Sequence, residues 1–169
     1  MKTLYLVRHA KASLEFRTGK DIDRPLLEKG LKRTRYIIDY LKNLNTNIDF
    51  IISSPAVRAF ETARVLAYAL NFPLTNIKIE SMLYEGDEDK IGDLFYDLPP
   101  KLESLMIVGH NPTITNFANL LLKHPIDYLP TSGVVCIQFD ANSWDEIWQA
   151  KIITNFVVTP RMLKNDIEG

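Results

Sequence analysis

Cysteine and histidine are scarce in this sequence, which limits the chemistry available to it. Cys136 is the single cysteine of the 169-residue chain, so no disulfide can form within it. Its apolar neighbours at residues 134–137 indicate a small buried side chain rather than a reactive thiolate, which needs a basic neighbour and some exposure. The three histidines are scattered, and no pair of cysteines accompanies them. We therefore expect no metal site and no cofactor.

Charge of one sign and long apolar runs are also lacking. The 20 Lys and Arg residues balance the 21 Asp and Glu residues, and the net charge of -1 gives no general attraction for nucleic acid or anionic membranes. No apolar run approaches the roughly 20 residues of a membrane span. The run after Lys2 ends at Arg8, short of the roughly 7–15 apolar residues of a signal peptide. These absences predict a cytoplasmic protein that binds neither nucleic acid nor membranes.

Low-complexity tracts, repeats and linkers are absent too, so residues 1–169 are expected to form a single domain. Strand-like and helix-like segments alternate along it. Short, largely apolar runs, typical of strands buried on both faces, occupy residues 3–7, 50–53 and 105–108. A weaker strand is predicted at residues 77–79, and a final, adjacent pair at residues 133–139 and 146–152.

Helices are predicted between these strands, at residues 25–44 and 87–98 among others. Ser54-Pro55 and Asn111-Pro112 each combine a capping side chain with a proline suited to the first helical position, which predicts two more helices that end near residues 70 and 122. The alternation predicts an α/β domain. We expect a three-layer sandwich with a mostly parallel central sheet, helices on both faces and an antiparallel edge.

Four polar residues stand at the ends of the predicted strands or at the helix starts just beyond them. Arg8 and His9 follow the first strand. Arg58 lies in the first turn of the helix after the second strand, and His110 follows the strand at residues 105–108. Ligands of open α/β sheets bind beyond the carboxyl ends of the strands, so these side chains are expected to converge. Two arginines, two histidines and two helix N-termini would bind an anion, and phosphate is the obvious one.

These residue types suit phosphoryl transfer. A neutral imidazole attacks phosphorus if an acceptor holds its proton on the other ring nitrogen, and we expect His9 to do so. Arg8 and Arg58 offer planar forks to the phosphoryl oxygens, and His110 can donate from its ring. Positioning and electrostatic stabilisation would then supply most of the catalysis.

Three short motifs resemble the successive signatures of the histidine phosphatase superfamily. They are LVRHA at residues 6–10, SSPAVRAFETA at residues 53–63 and VGHNP at residues 108–112. DRPL at residues 23–26, the following Gly30 and TSG at residues 131–133 resemble the phosphohistidine phosphatase SixA-like branch. Each motif alone is weak, but three in order at fitting spacing are strong. Ala10 departs from the glycine usual in the wider superfamily, which we do not interpret as a loss of activity.

The resemblance implies a phosphoglycerate mutase-like fold and a phosphatase in which His9 accepts the phosphoryl group. It implies a phosphate pocket lined by Arg8, Arg58 and His110. The implied substrate is phosphohistidine on a partner protein, such as a histidine-containing phosphotransfer domain. In the wider superfamily a carboxylate after the third strand protonates the leaving group, and Glu85 is the nearest candidate here.

Several alternatives stay open at the level of sequence. A proton donor such as Glu85 is less necessary for phosphohistidine than for a phosphate ester. Imidazole leaves readily from the high-energy P–N bond, whereas an alkoxide leaving group needs a proton. Arg24 either braces the loop before Pro25 or binds substrate. The runner-up function is a phosphomonoesterase or mutase acting on small phosphorylated metabolites. A catalytically silent phosphate-binding module is a third interpretation, which the presence of all four pocket residues disfavours.

Overall fold

Six strands form one sheet at the centre of the computed structural model, which describes residues 1–168. The strands are β1 (Lys2–Arg8), β2 (Phe50–Ser53), β3 (Lys78–Ile79), β4 (Ser104–Gly109), β5 (Val134–Asp140) and β6 (Lys151–Val158). Their spatial order is β3-β2-β4-β1-β5-β6. Strands β1 to β4 pair in parallel, whereas β5 is antiparallel to both β1 and β6. The sheet is therefore parallel with an antiparallel edge, as predicted.

Six helices connect these strands or follow them. They are α1 (Glu28–Asn43), α2 (Val57–Ala69), α3 (Met82–Glu85), α4 (Glu88–Asp93), α5 (Thr113–Leu121) and α6 (Pro160–Glu168). Across residues 1–168, none of the helices has both the length and the apolar character that a membrane crossing requires. The sequence patterns did not predict α3 or α6.

Alternate residues of the strands enter two separate apolar cores, one on each face of the sheet. In β1, Leu4 and Leu6 pack in the core that contains Phe117 of α5. Tyr5 and Val7 of the same strand pack in the other core, with residues of α1 and α2. Because β1 is covered on both sides, the predicted three-layer sandwich is confirmed.

The strand predictions hold best in the middle of the sheet. β2 covers the predicted residues 50–53, and β1 and β4 extend the predictions at 3–7 and 105–108 by a residue or two. The last strand is Lys151–Val158 rather than residues 146–152, so that prediction was wrong. The reason is Trp144, which is fully buried and donates from Nε1 to the Leu102 carbonyl over 2.8 Å. This contact coincides with a short 3-10 turn, Trp144–Glu146, ahead of the strand.

The helix starts also differ from the sequence predictions. Helix α1 begins at Glu28 rather than residue 25, and α4 ends at Asp93, where a 3-10 turn replaces the rest of the predicted 87–98 helix. Both predicted caps were wrong, because α2 begins at Val57 and α5 at Thr113 without a capping side chain. The side chain of Asn111 instead contacts Leu129 and Thr115, and that of Ser54 faces His110.

Candidate active site

The candidate residues follow three neighbouring parallel strands, β2, β4 and β1. The backbone N–H of His9 donates to the Gly109 carbonyl over 3.0 Å, and that of Ser54 donates to the Val108 carbonyl over 3.0 Å. The sheet pairing thus continues one residue beyond β1 and β2. As a result the rings of His9 and His110 lie 5.1 Å apart between centroids, so the two predicted histidines are brought together.

His9 is a buried, neutral imidazole with a fixed proton. Its Nδ1 lies 2.7 Å from the carbonyl oxygen of Ala10, which only accepts, so Nδ1 carries the hydrogen. Burial is the main cause that lowers the pKa of His9, to about 4; the charges of Arg58 and Arg8 act in the same direction, and the bond to Ala10 opposes them. At neutral pH the lone pair is therefore on Nε2, the arrangement that a nucleophile toward phosphorus needs.

His110 is held by the side chain of Ser54. Ser54 Oγ accepts the backbone N–H of Ala56 (3.2 Å) and lies 2.7 Å from His110 Nε2. If the Ser54 hydroxyl donates to His110 Nε2, then the hydroxyl, the Ala56 N–H and Nε2 all have hydrogen-bond partners. The hydrogen of the neutral imidazole is then on Nδ1. Burial, followed by the charges of His9 and Arg58, lowers the pKa of His110 to about 3. His110 Nδ1 is then a hydrogen-bond donor.

The two predicted arginines lie beside these rings. Arg8 donates from Nη1 to the Leu129 carbonyl over 3.2 Å, and burial lowers the pKa of its guanidinium. Arg58 has 7% of its side chain exposed and donates from Nη1 to the Asp21 carbonyl (2.8 Å) and from Nη2 to Asp21 Oδ2 (2.9 Å). Neither arginine uses its Nε–H in these contacts.

Three buried nitrogens of this cluster have no hydrogen-bond partner within residues 1–168. They are Arg8 Nε, Arg58 Nε and His110 Nδ1. Buried donors are almost always paired in folded proteins, and leaving one unpaired costs about 1–3 kcal/mol. All three are donors, and two of them belong to cations. The group that would satisfy them is therefore a negatively charged hydrogen-bond acceptor. The cluster has the chemistry of an oxyanion site.

Asp21 joins this cluster, although the sequence patterns did not point to it. Its carboxylate accepts from Arg58 Nη2, from Arg24 Nη1 (3.1 Å) and from the hydroxyl of Tyr84 (2.8 Å). The Tyr84 hydrogen bond is the main cause that lowers the pKa of Asp21 to about 2, and the bonds to the two arginines add to it. Asp21 is ionised at neutral pH. It lies three residues before Arg24, close to the DRPL motif, and that proximity was the available signal.

Arg24 links this carboxylate to the loop that follows β1. It donates from Nε to the Ser13 carbonyl over 2.8 Å, besides its contact with Asp21. Its charge is also one of the smaller contributions that lower the pKa of His9, after burial. The contact with Ser13 matches the predicted loop brace, and a role in substrate binding stays a prediction.

Glu85 lies outside the hydrogen-bonded cluster. It is exposed at the end of α3, and its carboxylate makes no hydrogen bond or ion pair within the described chain. The neighbouring Tyr84 faces the site instead, with its ring edge-on to that of His110 at 5.5 Å between centroids. The structure therefore places Tyr84, not Glu85, against the predicted pocket, and proton donation by Glu85 stays a prediction.

Several motif residues fix the backbone around His9. The Thr62 hydroxyl accepts the N–H of Ala10 (2.9 Å) and donates to the Arg58 carbonyl (2.7 Å). The N–H of Ser132 points to the carbonyls of Arg8 and His9, at 3.1 and 3.2 Å. Gly30 has a packing role, because a Cβ there would lie 2.4 Å from the Lys11 carbonyl oxygen. Within residues 1–168, no group of His, Cys, Asp and Glu side chains is suited to hold a metal ion.

Comparisons of sequence agree with the motifs. The model of the histidine phosphatase superfamily (branch 1) matches residues 4–94. An uncharacterized protein of Picosynechococcus sp. is 39% identical over 123 residues, which cover 70% of this chain and 72% of that protein. The phosphohistidine phosphatase SixA of Escherichia coli is 24% identical over 112 residues, covering 66% of this chain and 68% of that protein.

Comparison of structures agrees with the fold. The structure of the protein histidine phosphatase SixA complexed with tungstate matches with a TM-score of 0.77 at 22% identity, over 95% of this chain and 99% of that chain. At this identity the likeness establishes the fold, which is the phosphoglycerate mutase-like α/β fold predicted from the sequence.

Proposed function

The chain belongs to the histidine phosphatase superfamily, and on that premise we propose that this phosphatase removes the phosphoryl group from phosphohistidine on a partner protein. The observation that carries the proposal is the set of three unpaired donors, Arg8 Nε, Arg58 Nε and His110 Nδ1, beside the neutral ring of His9. A nucleophile toward phosphorus and donors for its oxygens are the two requirements of phosphoryl transfer without a metal.

In the first step, His9 Nε2 attacks phosphorus. A P–N bond forms to His9 while the P–N bond to the substrate imidazole breaks, and the electron pair of the broken bond stays on the substrate ring. That ring takes a proton from solvent. The positive charge that develops on the His9 ring is stabilised by the Nδ1–H bond to the Ala10 carbonyl, 2.7 Å away.

The three unpaired donors stabilise the negative charge on the oxygens of the transferred phosphoryl group. The guanidinium groups of Arg8 and Arg58 and the ring N–H of His110 supply hydrogen bonds that are already oriented before the reaction. Removing one such oxyanion donor typically costs about 2.7–4 kcal/mol of barrier, or roughly 100- to 1,000-fold in kcat.

In the second step, water attacks the phosphorus of the phosphorylated His9. The P–N bond breaks, its electron pair returns to Nε2, and the proton released by water passes to solvent. Inorganic phosphate leaves. The enzyme is then in its starting state, with the His9 hydrogen still on Nδ1.

The choice of phosphohistidine over a phosphate ester rests on the acids near the site. Asp21 is the one carboxylate hydrogen-bonded to the cluster within residues 1–168, and with its pKa lowered to about 2 it has no proton to give at neutral pH. A substrate whose leaving group needs little protonation fits such a site. The alternative, a phosphomonoesterase or mutase for small metabolites, would depend on the exposed Glu85.

The test compares three substrates with the same enzyme: a phosphohistidine peptide, a sugar phosphate and a nucleotide monophosphate. We expect the peptide to have the highest kcat/KM, and Glu85→Gln to leave that value within about twofold, because surface substitutions away from the reacting atoms have small effects. Hydrolysis of the esters with no action on the peptide would contradict the proposal. In that case a loss of ester hydrolysis in Glu85→Gln would support the alternative.

A further inference from the structure

A second cationic region lies on the other side of the loop that precedes β5. An open cavity of about 340 Å³ is lined by α1, this loop and α6. Its charged lining consists of Arg33, Arg161 and Lys164, and no carboxylate lines it. Arg33 and Arg161 form no ion pair with any side chain that the structure describes. In a chain whose net charge is -1, this is a local excess of positive charge.

The positive charge continues from the cavity toward the nucleophile. Lys11, two residues after His9, has its pKa lowered chiefly by the nearby charges of Lys29 and Arg33. These three cations are therefore close neighbours, and like charges in proximity repel. We name the set Lys11, Lys29, Arg33, Arg161 and Lys164 the basic surface.

A single stretch of chain, residues 129–132, separates the cavity from the phosphate pocket. Pro130 and Thr131 line the cavity, while the residues on either side of them bond to the pocket. The Leu129 carbonyl accepts from Arg8, and the Ser132 N–H points to the carbonyls of Arg8 and His9. Val134 pairs with Val7 of β1 and with Val158 of β6, so the start of α6 lies at the same edge of the sheet as His9. The basic surface therefore borders the edge at which His9 would receive the phosphoryl group.

We propose that the basic surface docks an acidic segment of the phosphoprotein substrate beside the phosphohistidine. The proposal rests on the proposed function, and it further specifies that the partner protein is negatively charged beside its phosphohistidine. Unpaired cations at the rim of a site attract and orient an oppositely charged partner. A nucleic acid is disfavoured, because the chain has a pI of about 6.3 and nucleic-acid-binding domains are usually far more basic.

Two synthetic peptides test the proposal. Both carry one phosphohistidine, and they differ only in whether the flanking residues are Asp or Asn. We expect the wild type to prefer the acidic peptide by roughly tenfold in kcat/KM, through KM, which is the effect of about three exposed ion pairs. The preference should disappear in Arg33→Glu/Arg161→Glu and shrink as the salt concentration rises.

Two controls separate docking from damage to the enzyme. Arg35→Glu makes the same charge change on α1 as Arg33→Glu alone, but at a residue that does not line the cavity. Arg33→Glu should weaken the preference, and Arg35→Glu should keep it. Phosphoramidate has a P–N bond but no flanking residues, and all variants should hydrolyse it as the wild type does.

The outcomes are distinct. If the enzyme hydrolyses both peptides equally, or if Arg33→Glu/Arg161→Glu keeps the preference, docking is wrong and the proposed function stands. If neither peptide is hydrolysed, the proposed function fails and docking fails with it. A third outcome is that a short duplex DNA inhibits peptide hydrolysis by the wild type but not by the double variant, while the two peptides are hydrolysed equally. In that case the surface binds nucleic acid and the proposal is overturned.

Discussion

At the scale of single residues, the hydrogen-bond partner of each ring decides what that ring can do. His9 is buried, His110 is half-buried, and both rings are neutral with the proton on Nδ1. The Ala10 carbonyl holds the Nδ1 proton of His9, whereas the Ser54 hydroxyl occupies Nε2 of His110. Since only Nε2 of His9 is left with a free lone pair, the proposal assigns attack to His9 and hydrogen-bond donation to His110. Residue identity alone does not distinguish these two roles.

The candidate pocket could be predicted residue by residue because it lies at strand ends. Arg8, His9 and His110 directly follow or end short apolar strands, and the parallel pairing of those strands brings their ends together. Asp21 could not be predicted in the same way. It lies in a 3-10 turn of an irregular segment, and its place in the cluster depends on long-range contacts with Arg58 and Tyr84. The burial predicted for Cys136 is confirmed, and burial raises the pKa of its thiol to about 12.

A substitution of Arg58 tests the oxyanion site. We expect Arg58→Ala to lower kcat for phosphoramidate by roughly 100- to 1,000-fold, because it removes one preorganised donor to the phosphoryl oxygens. The matched control is Arg64→Ala on the same helix, where the arginine is exposed and paired with Glu61. Steady-state kinetics of both variants should show a loss confined to Arg58→Ala. Equal activity of the two would remove Arg58 from the mechanism.

At the scale of elements, the same dipeptides that suggested helix caps serve the site. Ser54-Pro55 has the composition of a helix start, but α2 begins two residues after Pro55, and the Ser54 hydroxyl is used by His110. Sequence spacing could predict that a helix follows β2. It could not show which polar group the serine would meet, because His110 is 56 residues away in the chain.

Ser54→Ala distinguishes these two roles of the serine. If Ser54 orients His110, the substitution should lower kcat by roughly tenfold, the equivalent of about one hydrogen bond, with little change in KM. If Ser54 were only a helix cap, the substitution would cost about 1 kcal/mol of stability and leave kcat unchanged. Kinetics together with urea unfolding of the variant measures both quantities.

At the scale of the whole molecule, the alternation of apolar runs was sufficient to predict the three layers. Both faces of the central strands are buried, so their sequences are continuously apolar and easy to recognise. The edge was harder. β6 is largely exposed and mixes polar with apolar residues, and α6 packs on α1 through a long-range contact that no local pattern encodes. The edge elements nevertheless matter, since α6 supplies one wall of the basic cavity.

The lowered pKa values of His9 and His110 make the stability of the whole fold depend on pH. An ordinary histidine has a pKa of 6.5, and that of His9 is lowered to about 4 in the fold. Between these values the unfolded chain binds a proton that the folded chain does not, so the free energy of unfolding falls as the pH drops from 6.5 to 4. For a single site the loss is about 3 kcal/mol.

Urea unfolding as a function of pH measures this effect. His110 contributes a similar slope, since its pKa is lowered to about 3, so His9→Asn should remove about half of the pH dependence between pH 6.5 and 4. His124→Asn is the control, because His124 is exposed and its replacement should leave the slope unchanged. A wild type whose stability does not change over this pH range would contradict the burial of neutral histidines.

The central claim is that His9 accepts the phosphoryl group, and the direct measurement is to trap the phosphorylated enzyme. Wild-type protein is mixed with phosphoramidate, quenched in alkali and analysed by mass spectrometry of its peptides. We expect one phosphoryl group on His9, lost on brief exposure to acid, and no phosphorylated species or turnover with His9→Ala. A phosphoryl group on another residue, or full turnover by His9→Ala, would contradict the account.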